Sequence, residues 1–430
     1  MRAPLFLACL CSVLAATARG QENYSFDAAQ FEKKPFEIGG YAELLGEQFT
    51  LDPQAALYQL NYYTDPTRDS YHRTTGDMQI AALYRTGIAS LHFLGYGAHS
   101  RDYTGSTDST HLYEGYLSLA PSDRLTLDAG KRTLSWGKGY AFNPVGFIQR
   151  PKDPNDPELA REGYILASAS AVRSFDGPLK TVAFTPVLLP VEDNINADYG
   201  ETGHTNLAAR LYLLYRDTDI DFLALGGGSR SARYGLDFSR NLGTNFELHG
   251  EWAYLTSATR PVLDAAGTVT PVREAVHSAL LGLRYLTAND ITTILEYYYN
   301  GGGYTRDEMQ TWFRFVHDAY AQYLASSSTA LLQRALSLQS SYARPSAMRQ
   351  YLYLRVSQKE PFDILYFTPA ITVIGNLEDG SASLVPELLY TGVTNFEFRM
   401  RAYFLAGRRL SDFGEKPNDR KLELRVRYYF

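Results

Sequence analysis

Three side chains that could bind a metal ion lie at alternating positions, in the motif Glu247-x-His249-x-Glu251. Alternate residues of a β-strand point to the same face, so an imidazole and two carboxylates could together hold a divalent cation. The same spacing also fits the ordinary polar face of a strand. We therefore predict no metal site and no cofactor, and we assign these residues to a polar face.

A second chemical candidate is the run Trp136-Gly137-Lys138-Gly139. Its glycines and lysine suggest a phosphate-binding loop, but the spacing is wrong and no helix N-terminus follows to hold a phosphate. Serine, histidine and aspartate residues occur without a local signature that places a nucleophile beside a base. We therefore predict that the protein is not an enzyme.

The composition of the chain limits the class of protein to which these residues can belong. The chain has 430 residues, 45 % of them hydrophobic, with 33 Tyr, 3 Trp and a net charge of −6. After the first twenty residues, no segment approaches the roughly 18 consecutive apolar residues of a membrane helix. The acidic balance argues against a nucleic-acid partner. Tyrosine rings suit both lipid headgroups and a wet lumen, which favours a β-barrel over a Tyr-rich secreted sandwich.

The N-terminal residues are typical of a secretory signal peptide. Arg2 precedes an apolar stretch over residues 4–16, and a small-x-small cleavage site ends at residue 18. We predict a signal peptide over residues 1–18, with cleavage after residue 20 as the alternative, and a periplasmic segment over residues 19–35. Both cysteines lie in the predicted signal peptide, so the mature chain would have none; a lipoprotein signal is the less favoured reading.

From residue 36 onward, apolar and polar residues alternate in runs of about ten, the length of a tilted membrane strand. In the last run Leu422, Leu424 and Val426 share one face, while Arg425 and Arg427 share the other. The apolar face would meet lipid and the charged face the lumen. Nineteen segments show this pattern: 36–46, 55–64, 75–86, 87–97, 110–119, 123–134, 164–175, 179–189, 205–215, 218–229, 232–241, 244–256, 276–286, 290–300, 348–358, 363–374, 381–390, 395–404 and 421–430.

A barrel with both ends in the periplasm needs an even number of strands, so at least one segment is wrong, and the region 36–64 fits the loop alternation least. We predict one all-β domain over residues 36–430, a transmembrane antiparallel β-barrel of 18 strands, with 16 strands as the alternative. Short turns should alternate with long external loops. The predicted long loops are 98–109, 137–162, 190–204, 257–275, 301–347 and 405–420.

The loop 301–347 contains a helical pattern over residues 306–341. Thr305 is a suitable N-cap, Glu308 lies in the first turn, and apolar residues recur at helical spacing. We predict a helical insert in this external loop. It forms a lid, folds into the pore, or lies on the surface without a gating role.

The proline-rich loop 137–162 is the most distinctive segment of the chain. Four prolines within fourteen residues exclude a regular strand or helix. A stiff, charged loop at a strand end suits a constriction folded into a lumen, where its charges would control passage. An ordinary external loop is the alternative. The candidate constriction residues are Trp136, Lys138, Asn143, Pro144, Arg150, Lys152 and Asp153.

This region resembles a poorly characterised group of proteobacterial outer-membrane β-barrel proteins that are similar to porins. The resemblance covers Lys131-Arg132, Trp136-Gly137-Lys138-Gly139, Phe142-Asn143-Pro144 and the closing Arg161-Glu162-Gly163. It implies a barrel in the outer membrane of a Gram-negative bacterium, and transport without a defined substrate. The C-terminal aromatic residues Tyr428 and Phe430 resemble the signal read by the barrel assembly machinery.

Sorting the charged residues by strand face predicts a lumen with a basic wall on the late strands and an acidic wall on the earlier ones. Such walls would create a transverse field that orients dipolar solutes. Ion pairs between adjacent strands are the alternative. The predicted pore-lining residues are Arg132, Arg349, Arg355, Arg399, Arg401, Arg425, Arg427, Glu114, Asp128, Glu247, Glu251 and Glu296.

These observations predict a porin-like outer-membrane channel for small polar or anionic solutes. Its partners would be outer-membrane lipid, lipopolysaccharide and the barrel assembly machinery. A first alternative is a barrel sheath around a multihaem cytochrome; the chain has no Cys-x-x-Cys-His and would not carry the haem itself. A second alternative is a polysaccharide export channel.

Overall fold

The computed structural model describes residues 34–430, so the predicted signal peptide and most of the segment 19–35 lie outside the described residues. Phe36–Phe430 form one compact unit. Within it, eighteen strands form one sheet in which each strand pairs with its neighbours in sequence. β1 pairs antiparallel with β18 as well as with β2, so the sheet is closed. The predicted barrel of 18 strands is confirmed, and the alternative of 16 strands is wrong.

Eighteen of the nineteen predicted segments are strands, although several strands extend five to seven residues beyond the predicted segment. The strands are β1 (Phe36–Leu51), β2 (Ser70–Thr86), β3 (Ala89–Asp102), β4 (Gly105–Ser122), β5 (Leu125–Arg132), β6 (Tyr164–Ser174), β7 (Leu179–Val191), β8 (His204–Tyr215), β9 (Thr218–Leu225), β10 (Arg233–Asn241), β11 (Phe246–Leu263), β12 (Val269–Leu286), β13 (Ile291–Tyr299), β14 (Gln350–Gln358), β15 (Phe367–Asn376), β16 (Ser381–Tyr390), β17 (Phe396–Ala406) and β18 (Asn418–Tyr429).

Alternation along each strand separates an apolar outer face from a polar inner face. On β18, Leu422, Leu424 and Val426 are exposed on the outside, whereas Arg425 and Arg427 form ion pairs inside the barrel. This is the pattern of a barrel that spans a membrane through its strands. Among residues 34–430, no helix is long and apolar enough to cross a membrane.

The predicted strand 55–64 is wrong, because this segment contains the short helix α1 (Ala56–Asn61) in the connection between β1 and β2. Leu57 and Leu60 are buried three residues apart, on one side of the helix. The backbone N–H of Ala56 donates to the buried carboxylate of Glu415 at 2.5 Å. A residue far along the chain thus satisfies the helix start, which local sequence does not show.

Two of the predicted long loops, 98–109 and 257–275, are wrong. β3 and β4 continue to a tight turn between Asp102 and Gly105, and β11 and β12 continue to Leu263 and Val269. These extensions are rich in polar residues and therefore look like loops in the sequence. In the structure they pair across the hairpin, which satisfies their backbone hydrogen bonds.

The helical insert is confirmed, but it consists of two helices, α2 (Arg306–Ser326) and α3 (Ala330–Tyr342). Thr305 and Glu308 form the reciprocal capping box expected at the start of α2. The single helix predicted over 306–341 is wrong because Ser327 adopts a left-handed conformation, with φ of 57°. The serine run at this point favours caps and turns over helix interior.

Much of the barrel interior is packed. One apolar cluster joins the three helices to Phe142, Tyr351 and Ile374. A second cluster joins Trp136 and Phe147 to side chains of β6–β9 and β11. Two connections, the helical insert and the segment between β5 and β6, therefore cover inner strand surface with apolar side chains.

Candidate functional site

The connection between β5 and β6, residues 133–163, folds into the barrel; we call it the inner loop. Its side chains Trp136 and Phe147 pack with Val187 and Leu189 of β7. At its other end, Asp156 reaches Arg401 of β17, with an oxygen–nitrogen distance of 3.2 Å. The inner loop therefore crosses the interior from one wall to another.

Glu251 of β11 holds the start of the inner loop. Its Oε1 accepts hydrogen bonds from the backbone N–H groups of Lys138 and Gly139, each at 2.6 Å. Its Oε2 accepts from the N–H of Val145 at 3.3 Å. The carboxylate is nearly fully buried, so these bonds replace the water that it would otherwise bind.

Glu296 of β13 binds the next two residues of the inner loop in the same way. Its carboxylate accepts from the backbone N–H groups of Tyr140 and Ala141, the latter at 2.8 Å. It also lies 2.9 Å from Nε2 of His249. His249 and Glu251 thus bond to different partners. Among the described residues, no group of three or more His, Cys, Asp or Glu side chains could hold a metal ion.

Lys138 points from the inner loop into a buried acidic pair on β9 and β10. Its Nζ lies 3.1 Å from Oδ2 of Asp221 and 3.9 Å from Oδ1 of Asp237. Both carboxylates are buried, and Arg210 lies 3.5 Å from Asp221. Lys138 therefore neutralises negative charge at the wall.

The other predicted constriction residues mainly fold the inner loop on itself. Asn143 Nδ2 donates to the Trp136 carbonyl at 2.6 Å, and the next residue, Pro144, is half-buried. Arg150 pairs with Asp198. Lys152 donates to the carbonyl of Tyr140 at 3.0 Å, and burial lowers the pKa of its ammonium group.

Arginines of the late strands form a continuous ion-pair network on one wall. Arg401 lies 2.5 Å from Glu387 of β16, 3.2 Å from Asp156 and 3.8 Å from Glu423. Burial alone would raise the pKa of Asp156, but the guanidinium groups of Arg401 and Arg425 hold it below the ordinary value of 3.8. Asp156 therefore stays ionised in this setting.

The network extends to both sides. Arg425 and Arg427 pair with Glu43 of β1 at 3.3 and 2.6 Å. Arg355 and Arg399 pair with Glu387 at 2.7 and 3.6 Å.

The remaining predicted pore-lining residues lie away from this wall. Arg132 pairs with Asp128, and Glu114 accepts from the backbone N–H of Thr133 at 2.9 Å. Arg349 lies 3.4 Å from the carbonyl oxygen of Gly303, beside the helical insert. Glu247 accepts from the Ser239 hydroxyl at 3.1 Å.

The structure brings the late-strand arginines together, but each has a carboxylate partner nearby, on β1, β16 or β18 or on the inner loop. It thus shows ion pairs along this wall, whereas two members of the predicted acidic wall, Glu251 and Glu296, lie beneath the inner loop. Sequence reasoning missed the partners Glu43, Glu387 and Asp156. Glu43 and Glu387 lie at the alternating strand positions that face inward, so the two-residue repeat could have identified them. Asp156 lies on the inner loop, where no sequence pattern indicates its position.

An open cavity of ≈ 610 Å³ remains beside this wall. It lies between the ion-pair network, residues 153–160 of the inner loop, and the tyrosines Tyr41, Tyr96 and Tyr113. Along β1 its lining runs from Tyr41 to Phe49, a span of roughly 27 Å at about 3.4 Å per residue.

The barrel is similar in fold to OccAB1 of Acinetobacter baumannii, with a TM-score of 0.54 and 9 % identity, over 91 % of this chain and 96 % of that chain. A triple mutant of the porin of Rhodopseudomonas blastica aligns over 92 % of this chain and 100 % of that one, at 10 % identity and a TM-score of 0.45. No family model and no curated protein matches the chain. At 9 % identity the likeness to OccAB1 concerns fold alone. The chain is thus a closed β-barrel of eighteen strands that is similar in architecture to OccAB1.

Proposed function

We propose that this chain is a passive pore of the outer membrane that admits small polar solutes. The observation that carries the proposal is the open cavity beside the inner loop, which is lined by charged and tyrosine side chains and follows β1 from Tyr41 to Phe49. On a strand tilted by about 40°, this path of roughly 27 Å covers about 21 Å of the barrel axis, which is most of the apolar belt of about 25 Å on outer-membrane barrels. The inner loop supplies the narrow part and the tyrosines supply hydroxyl groups.

The charges of the cavity favour weak selectivity. Its cationic residues are matched in number by its anionic residues, and the guanidinium groups of the wall are paired, so an anionic solute would have to displace a carboxylate. We therefore favour small polar solutes of either sign over an anion-specific pore. The charged lining residues are Arg73, Arg401, Lys416, Lys421, Arg425, Arg427, Glu43, Glu47, Asp77, Asp153, Asp156 and Glu423.

Location and partners belong to the same proposal. The apolar outer face requires a lipid environment, and the barrel architecture suits the outer membrane of a Gram-negative bacterium. Outer-membrane lipid and lipopolysaccharide would surround the belt, and the barrel assembly machinery would insert the chain. The proposed function involves no catalysis.

The two alternative functions have less support. A sheath would need a lumen wide enough for a folded cytochrome segment, and even one α-helix is about 10–12 Å across; the inner loop and the helical insert occupy much of that space. A polysaccharide export channel lined by arginines would need guanidinium groups that are free to bind the polymer, whereas Arg401 and Arg425 each have carboxylates within 3.5 Å.

Conductance of the purified barrel in a planar lipid bilayer tests the proposal. We expect stepwise ion currents with a cation-to-anion permeability ratio close to one. A correctly folded barrel without conductance would refute the pore. Co-purification of a haem protein from native membranes would favour the sheath instead.

A further inference from the structure

The motif Gly137-Lys138-Gly139 brings the backbone of the inner loop against a carboxylate. Gly137 has φ of +96°, a region that favours glycine, and a Cβ atom there would lie 2.6 Å from Oε1 of Glu251. A Cβ atom on Gly139 would clash with the Phe142 carbonyl oxygen and would lie 2.9 Å from Leu280 Cδ1 and 3.2 Å from the same carboxylate oxygen. The glycines therefore allow the N–H groups to reach Glu251.

Two buried carboxylates receive this stretch of backbone. Glu251 is 4 % exposed and Glu296 is 0 % exposed. Together they accept from the N–H groups of five inner-loop residues, 138–141 and 145. Successive N–H groups around an anion form a favourable binding concavity, and a buried carboxylate that loses such donors is strongly destabilised. The contact therefore strongly favours a docked loop.

We propose that Glu251 and Glu296 are positioning residues that set the size limit of the pore by holding the inner loop inside the lumen. This inference rests on the proposed pore function. The same loop carries Asp156 to Arg401 and forms one side of the open cavity. Docking on β11 and β13 therefore determines how much of the cross-section stays open on the opposite side.

Packing of Trp136 and Phe147 offers a competing cause, since apolar contacts alone could hold the inner loop. The double variant Glu251→Gln/Glu296→Gln separates the two causes. It keeps side-chain size but directs an amide NH₂ group at backbone N–H donors. The matched control is Asp219→Asn, which removes a carboxylate of β9 that accepts from the Tyr212 hydroxyl.

Single-channel recording and liposome swelling with sugars of increasing size measure the effect. We expect the double variant to conduct roughly twofold or more above wild type and to admit larger sugars, because the loop no longer restricts the lumen. The control should match wild type. A folded double variant with wild-type conductance and size limit would overturn the inference.

Trypsin cleavage after Lys152 and Arg161 reports loop release without reference to transport. We expect slow cleavage in wild type and fast cleavage in the double variant; equal, slow cleavage in both counts against docking by the carboxylates. If the double variant does not fold, as judged by heat-modifiable migration, Gly137→Ala disturbs the same contact with both carboxylates intact, because its Cβ atom would lie 2.6 Å from Oε1 of Glu251. It should increase conductance and cleavage, and wild-type values of both would overturn the inference. A non-conducting wild type refutes the pore, while the cleavage pattern still decides the docking.

Discussion

Replacing Asp156 by asparagine should convert a balanced pore into an anion-selective one. Asparagine keeps the shape of the side chain and one acceptor oxygen, but it removes the negative charge that lies 3.2 Å from Arg401 and 3.5 Å from Arg425. Because the charged lining residues balance in wild type, the variant cavity carries one excess positive charge.

The expected magnitude follows from Coulomb's law. A permeant ion about 7 Å away interacts with this charge by roughly 0.6 kcal/mol in water, and with opposite sign for cation and anion, which gives a difference of about 1.2 kcal/mol. Screening at 0.1 M salt reduces this to about 0.6 kcal/mol. The anion-to-cation permeability ratio should therefore rise about threefold.

Reversal potentials across a potassium chloride gradient measure this ratio. Asp153→Asn is the matched control, because it removes the same charge from an exposed carboxylate that accepts from the Asn155 N–H at 2.9 Å. We expect a smaller shift in the control. Equal ratios in wild type and Asp156→Asn would show that the ion-pair wall does not face the conduction path.

The pKa of Asp156 adds a pH dependence to the same experiment. Because the folded-state pKa is below 3.8, the carboxylate stays charged, and the difference between wild type and variant should persist from neutral pH down to that value. The difference should disappear only as pH falls through the lower, folded-state pKa. Its loss well above pH 3.8 would contradict the assigned ion pairs.

Three further changes probe the parts that hold the cavity in place. Glu387→Ala leaves Arg401 without its nearest carboxylate and should lower the free energy of unfolding by about 3–5 kcal/mol; an unchanged denaturant midpoint would contradict this. Thr305→Ala should cost about 1 kcal/mol of helix stability, seen as faster amide exchange in α2. Burial alone would raise the pKa of Glu308, but hydrogen bonds from Thr305 and Arg260 hold it below 4.5. The contribution of the ionised Glu308 to the stability of α2 should therefore persist above pH 4.5 and be lost as pH falls through the lower folded-state pKa. Amide exchange in α2 that does not depend on pH would argue against the capping box. Trp136→Ala should cost about 3–5 kcal/mol and speed trypsin cleavage after Lys152, and wild-type values of both would show that the apolar anchor is dispensable.

The strands were the elements that the sequence predicted best, because successive side chains of a strand point to opposite faces and apolar residues therefore recur at every second position. Eighteen of the nineteen predicted segments are strands, and residues 55–64 failed because a short helix can bury the same apolar residues as a strand. Hairpin extensions such as residues 98–102 and 105–109 were not predicted, since polar residues outside the lipid belt look alike in loops and strands.

Only part of the candidate site could be predicted from the sequence. The position of each inward arginine followed from parity, as for Arg425 and Arg427. Their partners did not, because cross-strand neighbours depend on register, and Glu43 lies more than 380 positions from Arg427 in the chain.

By itself, the sequence determined a closed sheet with an apolar outside and a charged inside, the helical insert beginning at Thr305, and a stiff proline-rich loop after β5. These properties are local, since alternation, capping and proline geometry act over a few residues. Tertiary structure alone decided that the inner loop docks on Glu251 and Glu296. It also decided that nearby carboxylates neutralise the arginines of the late strands. Both outcomes depend on contacts between residues far apart in the chain, such as the 113 positions between Lys138 and Glu251, which only barrel closure and strand register bring together.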